Sequence, residues 1–100
     1  MLQDITAFEH LNDVNNLREN LTDKPIHDKA IVLSYLRSGK RIAAIAGSSV
    51  DLLTKKPIRG EWLVFSDDKY QWTSDMIYYF DKYNLLLTKE FIDYALLNNK

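Results

Sequence analysis

Turn signals separate the apolar segments in the middle of this 100-residue chain. Three such segments follow one another along the chain: residues 42–46, 62–65 and 70–72. Pro57 and the polar stretch 66–69 mark the turns between them. Because connections this short cannot make parallel crossovers, the pattern predicts a three-stranded antiparallel sheet.

The first of these segments is apolar at every position, so both faces of a strand formed by it would be apolar. Residues 42–46 read Ile-Ala-Ala-Ile-Ala, which favours a strand covered on both faces. Residues 50–54 either continue that strand or begin a second one. Ile58 and residues 62–65 form the returning strand, and Trp62 and Phe65 are predicted to lie in the core.

Two helices are predicted before the sheet. Apolar residues recur every three or four positions over residues 3–21, which is the spacing of an amphipathic helix. A second helix is predicted over residues 25–38, because Asp23 can cap it and Pro25 is tolerated in its first turn. Gly39 stands where a residue in the left-handed conformation would end that helix.

Two further helices are predicted after the sheet. Thr73 or Ser74 can cap the first, and Asn84 ends it. Thr88 caps the second. The resulting order, α–α–β–β–β–α–α, predicts an α+β fold in which N-terminal and C-terminal helix pairs flank a small sheet. A length of 100 residues is typical of one domain, residues 1–100.

The composition excludes several classes of protein. The net charge is −1, which argues against a generally basic nucleic-acid binder. The absence of cysteine removes disulfides and thiolate chemistry. No apolar run approaches the roughly 18 residues of a membrane span, and the N-terminus does not resemble a signal peptide. A cytoplasmic protein without a membrane partner is therefore expected.

Catalytic and metal-binding patterns are not found in the sequence. His10 and His27 have no second histidine and no cysteine three or four residues away, the pairing that most zinc sites on a helix use. The three glycines form neither a phosphate-binding loop nor a dinucleotide fingerprint, and no serine lies in a Gly-x-Ser-x-Gly motif. The sequence therefore predicts no enzyme, metal or cofactor.

Charged and aromatic residues are distributed unevenly. Residues 37–59 hold six basic residues against the single acid Asp51. This segment either binds phosphate groups or carries solubilising charge on turns and strand ends. Residues 61–100 hold seven acids against four lysines, together with ten of the twelve aromatic residues. Their tyrosines either straddle core and solvent or form a protein-binding surface, which would suit a basic partner such as a nuclease.

The second half of the chain resembles a known class of bacterial protein. The resemblance rests on the end of the second helix at 35–39, the turn and strand at 66–72, and the two helix segments at 78–83 and 87–92. These segments resemble immunity proteins encoded beside polymorphic or contact-dependent growth-inhibition toxins. Asp67-Asp68 stands where Asp-Gly is expected in the turn, and Thr88-Lys89 stands where proline is expected before Glu90.

The resemblance implies a protein that neutralises a toxin domain by stoichiometric binding. We expect the contact surface on the turn, strand and helix of residues 66–81, formed by Asp67, Asp68, Tyr70, Asp75, Tyr78, Tyr79 and Asp81. Two alternatives stay open. One is a small nucleic-acid-binding protein that uses residues 37–59, although nucleic acid is the less favoured partner. The other is a phage or mobile-element accessory protein that mediates assembly.

Overall fold

The computed structural model describes residues 3–6, 14–47 and 49–98. The described residues form an α+β fold, as predicted from the order of apolar patterns. Its elements are β1 (Gln3–Asp4), α1 (Val14–Glu19), α2 (Lys29–Arg37), β2 (Lys40–Ala44), β3 (Leu63–Ser66), β4 (Tyr70–Thr73), α3 (Ser74–Tyr83) and α4 (Lys89–Asn98).

The four described strands form one mixed sheet in the order β1-β4-β3-β2. The antiparallel pairing of β2 with β3 and of β3 with β4 confirms the predicted meander. The prediction of only three strands was wrong, because β1 pairs in parallel with β4, Gln3 opposite Tyr70. The helix predicted over residues 3–21 was wrong at Gln3–Asp4, which form β1; the described helix α1 spans Val14–Glu19, and residues 7–13 lie outside the described part.

The strand β2 is an exposed edge strand, and the prediction that it is covered on both faces was wrong. All five of its residues are exposed, and the register shifts between Arg41 and Ala43. Its two alanines bury little apolar surface, so an apolar sequence here does not require cover. Residues 50–54 do not form a strand. Val50 makes an isolated antiparallel bridge with Pro57.

The helix ends follow local capping signals in part. Asn84 ends α3 in the left-handed conformation, with φ 60°, and the hydroxyl of Thr88 accepts the amide hydrogen of Phe91 at 3.2 Å, as predicted. The second helix begins at Lys29 rather than at residue 25, after Asp28 with φ 56°. Thr73 precedes α3 in an extended conformation, but its side chain makes no capping bond to the helix.

Glycine is needed at position 39, just after α2, for a different reason from the predicted one. Its φ is not positive, so it does not act as a left-handed cap. A Cβ atom at this position would lie 2.5 Å from Cζ2 of Trp72. Glycine is needed here because the backbone passes directly against the indole ring.

The core lies between the sheet and helices α2, α3 and α4. Trp72 is its largest fully buried side chain; its indole N–H donates to the carbonyl of Leu36 at 3.0 Å, and its ring centroid lies 5.7 Å from that of Phe91. Phe65 is half-buried against this core, as predicted. Trp62 does not belong to it, because its half-buried ring lines a surface cleft.

Candidate functional site

A buried carboxylate joins the loop between β2 and β3 to helix α3. Asp51 is 1% exposed and accepts hydrogen bonds from the hydroxyls of Tyr78, at 2.6 Å, and Tyr83, at 2.7 Å. The amide groups of Leu53 and Thr54 donate to its other oxygen, at 2.8 and 3.2 Å. An aspartate that accepts amides two and three residues ahead fixes a turn, which explains why this segment is not a strand.

The hydrogen bonds decide the charge of this carboxylate. Burial disfavours ionisation of Asp51, but the two tyrosine hydroxyls and two amides favour it more strongly and hold its pKa below the usual value. The same contact with Asp51, together with burial, raises the pKa of Tyr83 to about 12. Asp51 is therefore an ionised acceptor, and each of the two tyrosines is a neutral donor at neutral pH.

A third tyrosine of α3 holds the same loop. The hydroxyl of Tyr79 donates to the carbonyl of Val50 and accepts the amide hydrogen of Leu52, each at 3.2 Å. Burial raises the pKa of Tyr79 to about 12. Three tyrosines close together on one helix, with a lone acid in a basic segment, were a sequence signal for this cluster, but Tyr78 and Tyr79 were predicted to lie on a partner surface.

Two clefts lie where this loop meets α3. The first, which we call the basic cleft, has a volume of about 390 Å³ and is lined by Thr54, Lys56, Arg59, Tyr78 and Lys82 among others. The second adjoins it through Arg59 and Tyr78 and has a volume of about 250 Å³. Its lining is electrically mixed, since Glu61 and Asp81 accompany Arg37 and Arg59.

The second cleft also holds an unpartnered donor. The indole N–H of Trp62 is buried and has no hydrogen-bond partner in the described part of the chain. The carboxylate of Asp81 lies 3.4 Å from the guanidinium of Arg37, so one acid and one base of this cleft already form an exposed ion pair.

Three of the seven residues predicted to contact a partner are buried. Tyr70, Asp75 and Tyr79 are 2%, 3% and 1% exposed. The ring of Tyr70 packs edge-on against Phe91 at a centroid distance of 5.0 Å. Asp75 accepts from Ser49 at 3.3 Å and from the hydroxyl of Thr73. The expectation that these side chains form an exposed surface is corrected, because each has its partners inside the fold.

The other four predicted residues do not form one surface. Asp67 bonds the hydroxyl of Tyr35 at 2.5 Å, whereas Asp81 pairs with Arg37. Side chains two positions apart on a helix point in directions that differ by about 200°. Tyr35 and Arg37 therefore hold Asp67 and Asp81 on opposite sides of α2. Burial and Asp67 together raise the pKa of Tyr35. Tyr78 is half-buried, and its hydroxyl is bonded to Asp51.

Asp68 is the predicted residue that is both exposed and free of an ion pair within the described residues. It belongs to a second surface, which we call the turn–helix surface. The ammonium group of the next residue, Lys69, lies 4.7 Å from the ring centroid of Tyr94 on α4, so the β3–β4 turn meets that helix. The name covers the turn residues Asp68 and Lys69 together with neighbouring positions on the outer side of α4, which are Lys89, Glu90, Asp93, Tyr94 and Leu97; all are exposed except the half-buried Tyr94.

The basic segment is dispersed by the fold. Of its six basic residues, Lys56 and Arg59 line the basic cleft, and Arg37 lines the adjoining one. Lys40 and Arg41 lie on the exposed edge strand β2. Lys82 of α3, which is outside this segment, completes the basic cleft. The sequence did not identify Lys82 as part of a site, because only tertiary structure brings it close to Lys56 and Arg59.

Comparison of the chain with protein-family models, with curated proteins and with solved structures finds no match. Within residues 3–6, 14–47 and 49–98, no three His, Cys, Asp or Glu side chains are grouped as a metal ion would need. His27 is exposed beside Asp28, and His10 lies outside the described residues. None of the helices that the structure describes is both long and apolar enough to cross a membrane.

Proposed function

We propose that this protein is an immunity protein, which binds a bacterial toxin domain in the cytoplasm and inhibits it stoichiometrically. The turn–helix surface is the observation that carries the proposal. Leu97 is 81% exposed, more than any other large apolar side chain that the structure describes. Glu90, Tyr94 and Leu97 share one face of α4, because their spacing is four and three residues.

The charge of this surface selects a basic partner, such as a nuclease domain. Three acids, Asp68, Glu90 and Asp93, accompany two lysines, Lys69 and Lys89. Acidic groups around an apolar and aromatic centre accelerate association with a basic protein, whereas the desolvated centre slows dissociation. The resemblance to immunity proteins over residues 35–96 supports the same function.

The proposal includes no catalytic role and no cofactor. The buried acid Asp51 contacts Tyr78, which lines both clefts, and it already accepts four hydrogen bonds. An ionised carboxylate with a lowered pKa and all its bonds made holds a loop in place; it is poorly suited to accept a proton from a substrate.

The test begins with capture of the tagged protein from cells of its own organism. We expect a polypeptide in one-to-one proportion that stops growth when expressed alone and is harmless when this protein is co-expressed. Association is then measured with the variant Asp68→Lys/Asp93→Lys and dissociation with Leu97→Ser. The first should slow association about tenfold and reduce its salt dependence, and the second should speed dissociation about tenfold.

The matched control is Asp23→Lys, which reverses an exposed carboxylate in the chain before α2. It should leave both rates unchanged. Unchanged rates in the turn–helix variants would place the interface elsewhere. Capture of nucleic acid in place of a lethal polypeptide would overturn the immunity function and favour the alternative in which residues 37–59 bind nucleic acid. Self-association alone would favour an accessory assembly protein.

A further inference from the structure

We infer that the basic cleft is a binding site for a phosphate group. This site is separate from the turn–helix surface and does not rest on the proposed immunity function. Its three cations come from two parts of the chain: Lys56 and Arg59 from the loop before β3, and Lys82 from α3. Residues so far apart in sequence are brought to one concave surface only by folding.

The cations of the basic cleft form no direct ion pair with an acid in the described part of the chain. Within the described part of the chain, no carboxylate lies within 4.0 Å of the charged groups of Lys56, Arg59 or Lys82. No acidic residue is among the described residues that line the cleft. Arg37 in the adjoining cleft, by contrast, is paired with Asp81. The basic cleft therefore combines three cations with no acidic lining residue, which favours an anion there over the electrically mixed adjoining cleft.

The Asp51 cluster fixes the wall of the cleft that α3 provides. The ammonium group of Lys82 donates to the hydroxyl of Tyr78 at 3.2 Å, and that hydroxyl donates to Asp51 at 2.6 Å. The ammonium group also lies 5.5 Å from the ring centroid of Tyr83. Asp51 itself is buried behind the tyrosines and accepts four hydrogen bonds within the fold. A lysine side chain that is already held in place loses less conformational entropy when it binds an anion than a freely moving lysine does.

Phosphate is the anion that this arrangement fits. Arg59 can offer two parallel N–H donors to a pair of phosphate oxygens, and Lys56 and Lys82 offer point charges. The hydroxyl of Thr54 adds a neutral donor at the same cleft. A phosphate group with a charge of about −1.5 to −2 gains more from three cations than a carboxylate does.

The test titrates the full chain with pyrophosphate at constant ionic strength, set with sodium chloride, and follows backbone amide and indole N–H signals by NMR. We expect saturable shifts of the backbone amide signals of residues 54–56, 58–59 and 82. The indole N–H signal of Trp62, in the adjoining cleft, should shift. That of Trp72, which is bonded to Leu36 inside the core, should not. Shifts that never saturate, or that extend to Lys24 and Lys89, would overturn the inference.

Variants Arg59→Gln and Lys82→Gln should each weaken pyrophosphate binding about tenfold, because each removes a charge-assisted contact. The control Lys24→Gln removes an exposed lysine before α2 and should change nothing. Equal affinity in all three variants would contradict a site at the basic cleft.

A second titration, with octathymidylate, distinguishes the two sources of phosphate. Binding at least tenfold tighter than that of pyrophosphate, falling steeply with salt, identifies a nucleic-acid backbone as the ligand. Binding of octathymidylate that is no tighter than that of pyrophosphate identifies a small phosphate compound. Both results support the phosphate site, whereas an absence of binding by either ligand overturns it.

Discussion

The hydroxyl of Tyr78 and the carboxylate of Asp51 lie 2.6 Å apart and join helix α3 to the loop before β3. Replacing Asp51 with alanine leaves the hydroxyls of Tyr78 and Tyr83 and two amides without their acceptor. We expect the free energy of unfolding, measured by urea denaturation, to fall by about 3 kcal/mol. The control Asp23→Ala, at an exposed position, should change it by less than about 0.5 kcal/mol. An equal change in both would mean that this contact contributes nothing.

The acid side of the stability profile follows from the same carboxylate. The pKa of Asp51 is lower in the folded protein than in the unfolded chain. Its stabilising contribution is therefore present above the unfolded pKa, about 4, and is lost as the pH falls through the folded pKa. The variant Asp51→Asn should be less stable at neutral pH and should lose less stability in acid. Parallel profiles of the two proteins would contradict this.

The alkaline side depends on the tyrosines of α3. The pKa values of Tyr79 and Tyr83 are raised from 10.0 to about 12. Their contribution to stability is complete below about pH 10 and is lost between about pH 10 and 12, since the unfolded chain ionises first. We expect the variants Tyr79→Phe and Tyr83→Phe each to lose less free energy of unfolding over this pH range than the unaltered protein does. Phenolate absorbance during alkaline titration gives an independent measurement of the same pKa values.

Gly39 provides a test of packing against Trp72. Because a Cβ atom there would lie 2.5 Å from the indole ring, Gly39→Ala should lower the free energy of unfolding by about 2 kcal/mol. Gly60 is the matched control, since its φ is +95° but a Cβ atom would meet nothing within 4 Å. Gly60→Ala should cost only the backbone strain, about 1 kcal/mol. A smaller loss for Gly39→Ala than for Gly60→Ala would contradict the close approach.

Asp68 allows charge and stability to be separated on the turn–helix surface. Its φ is 77°, in the left-handed region that favours glycine. We expect Asp68→Gly to raise the free energy of unfolding by up to about 1 kcal/mol. The variant Asp68→Asn, which keeps a side chain suited to that conformation, should leave it nearly unchanged. Weaker partner binding by both variants would then come from the lost charge and not from unfolding.

Local signals in the sequence account for much of the second half of the fold. Asn84 and Thr88 mark helix ends that the structure reproduces, because capping depends on the backbone within a few residues. The hairpin of β3 and β4 also follows from its short polar turn. Strand β1 could not be predicted, since its two residues pair with a strand more than 60 residues away and carry no periodicity of their own.

The candidate sites were predicted less well, because burial of polar residues depends on distant partners. Asp75 and Tyr79 appeared suited to a surface, but Ser49 and the backbone at Val50 and Leu52 satisfy them inside the fold. Asp51 was noted only as the lone acid in a basic segment. The basic cleft required Lys82, which periodicity places on a helix without showing what that helix faces.

The pairing of β1 has a consequence for the timing of synthesis. Ile5 is fully buried, and its carbonyl accepts the amide hydrogen of Thr88, while the amide of Gln3 donates to Lys69. Synthesis runs from the N-terminus to the C-terminus, so residues 3–5 emerge from the ribosome well before β4 and the start of α4. These residues therefore stay without their native partners until a stretch of chain more than 60 residues further on has been made.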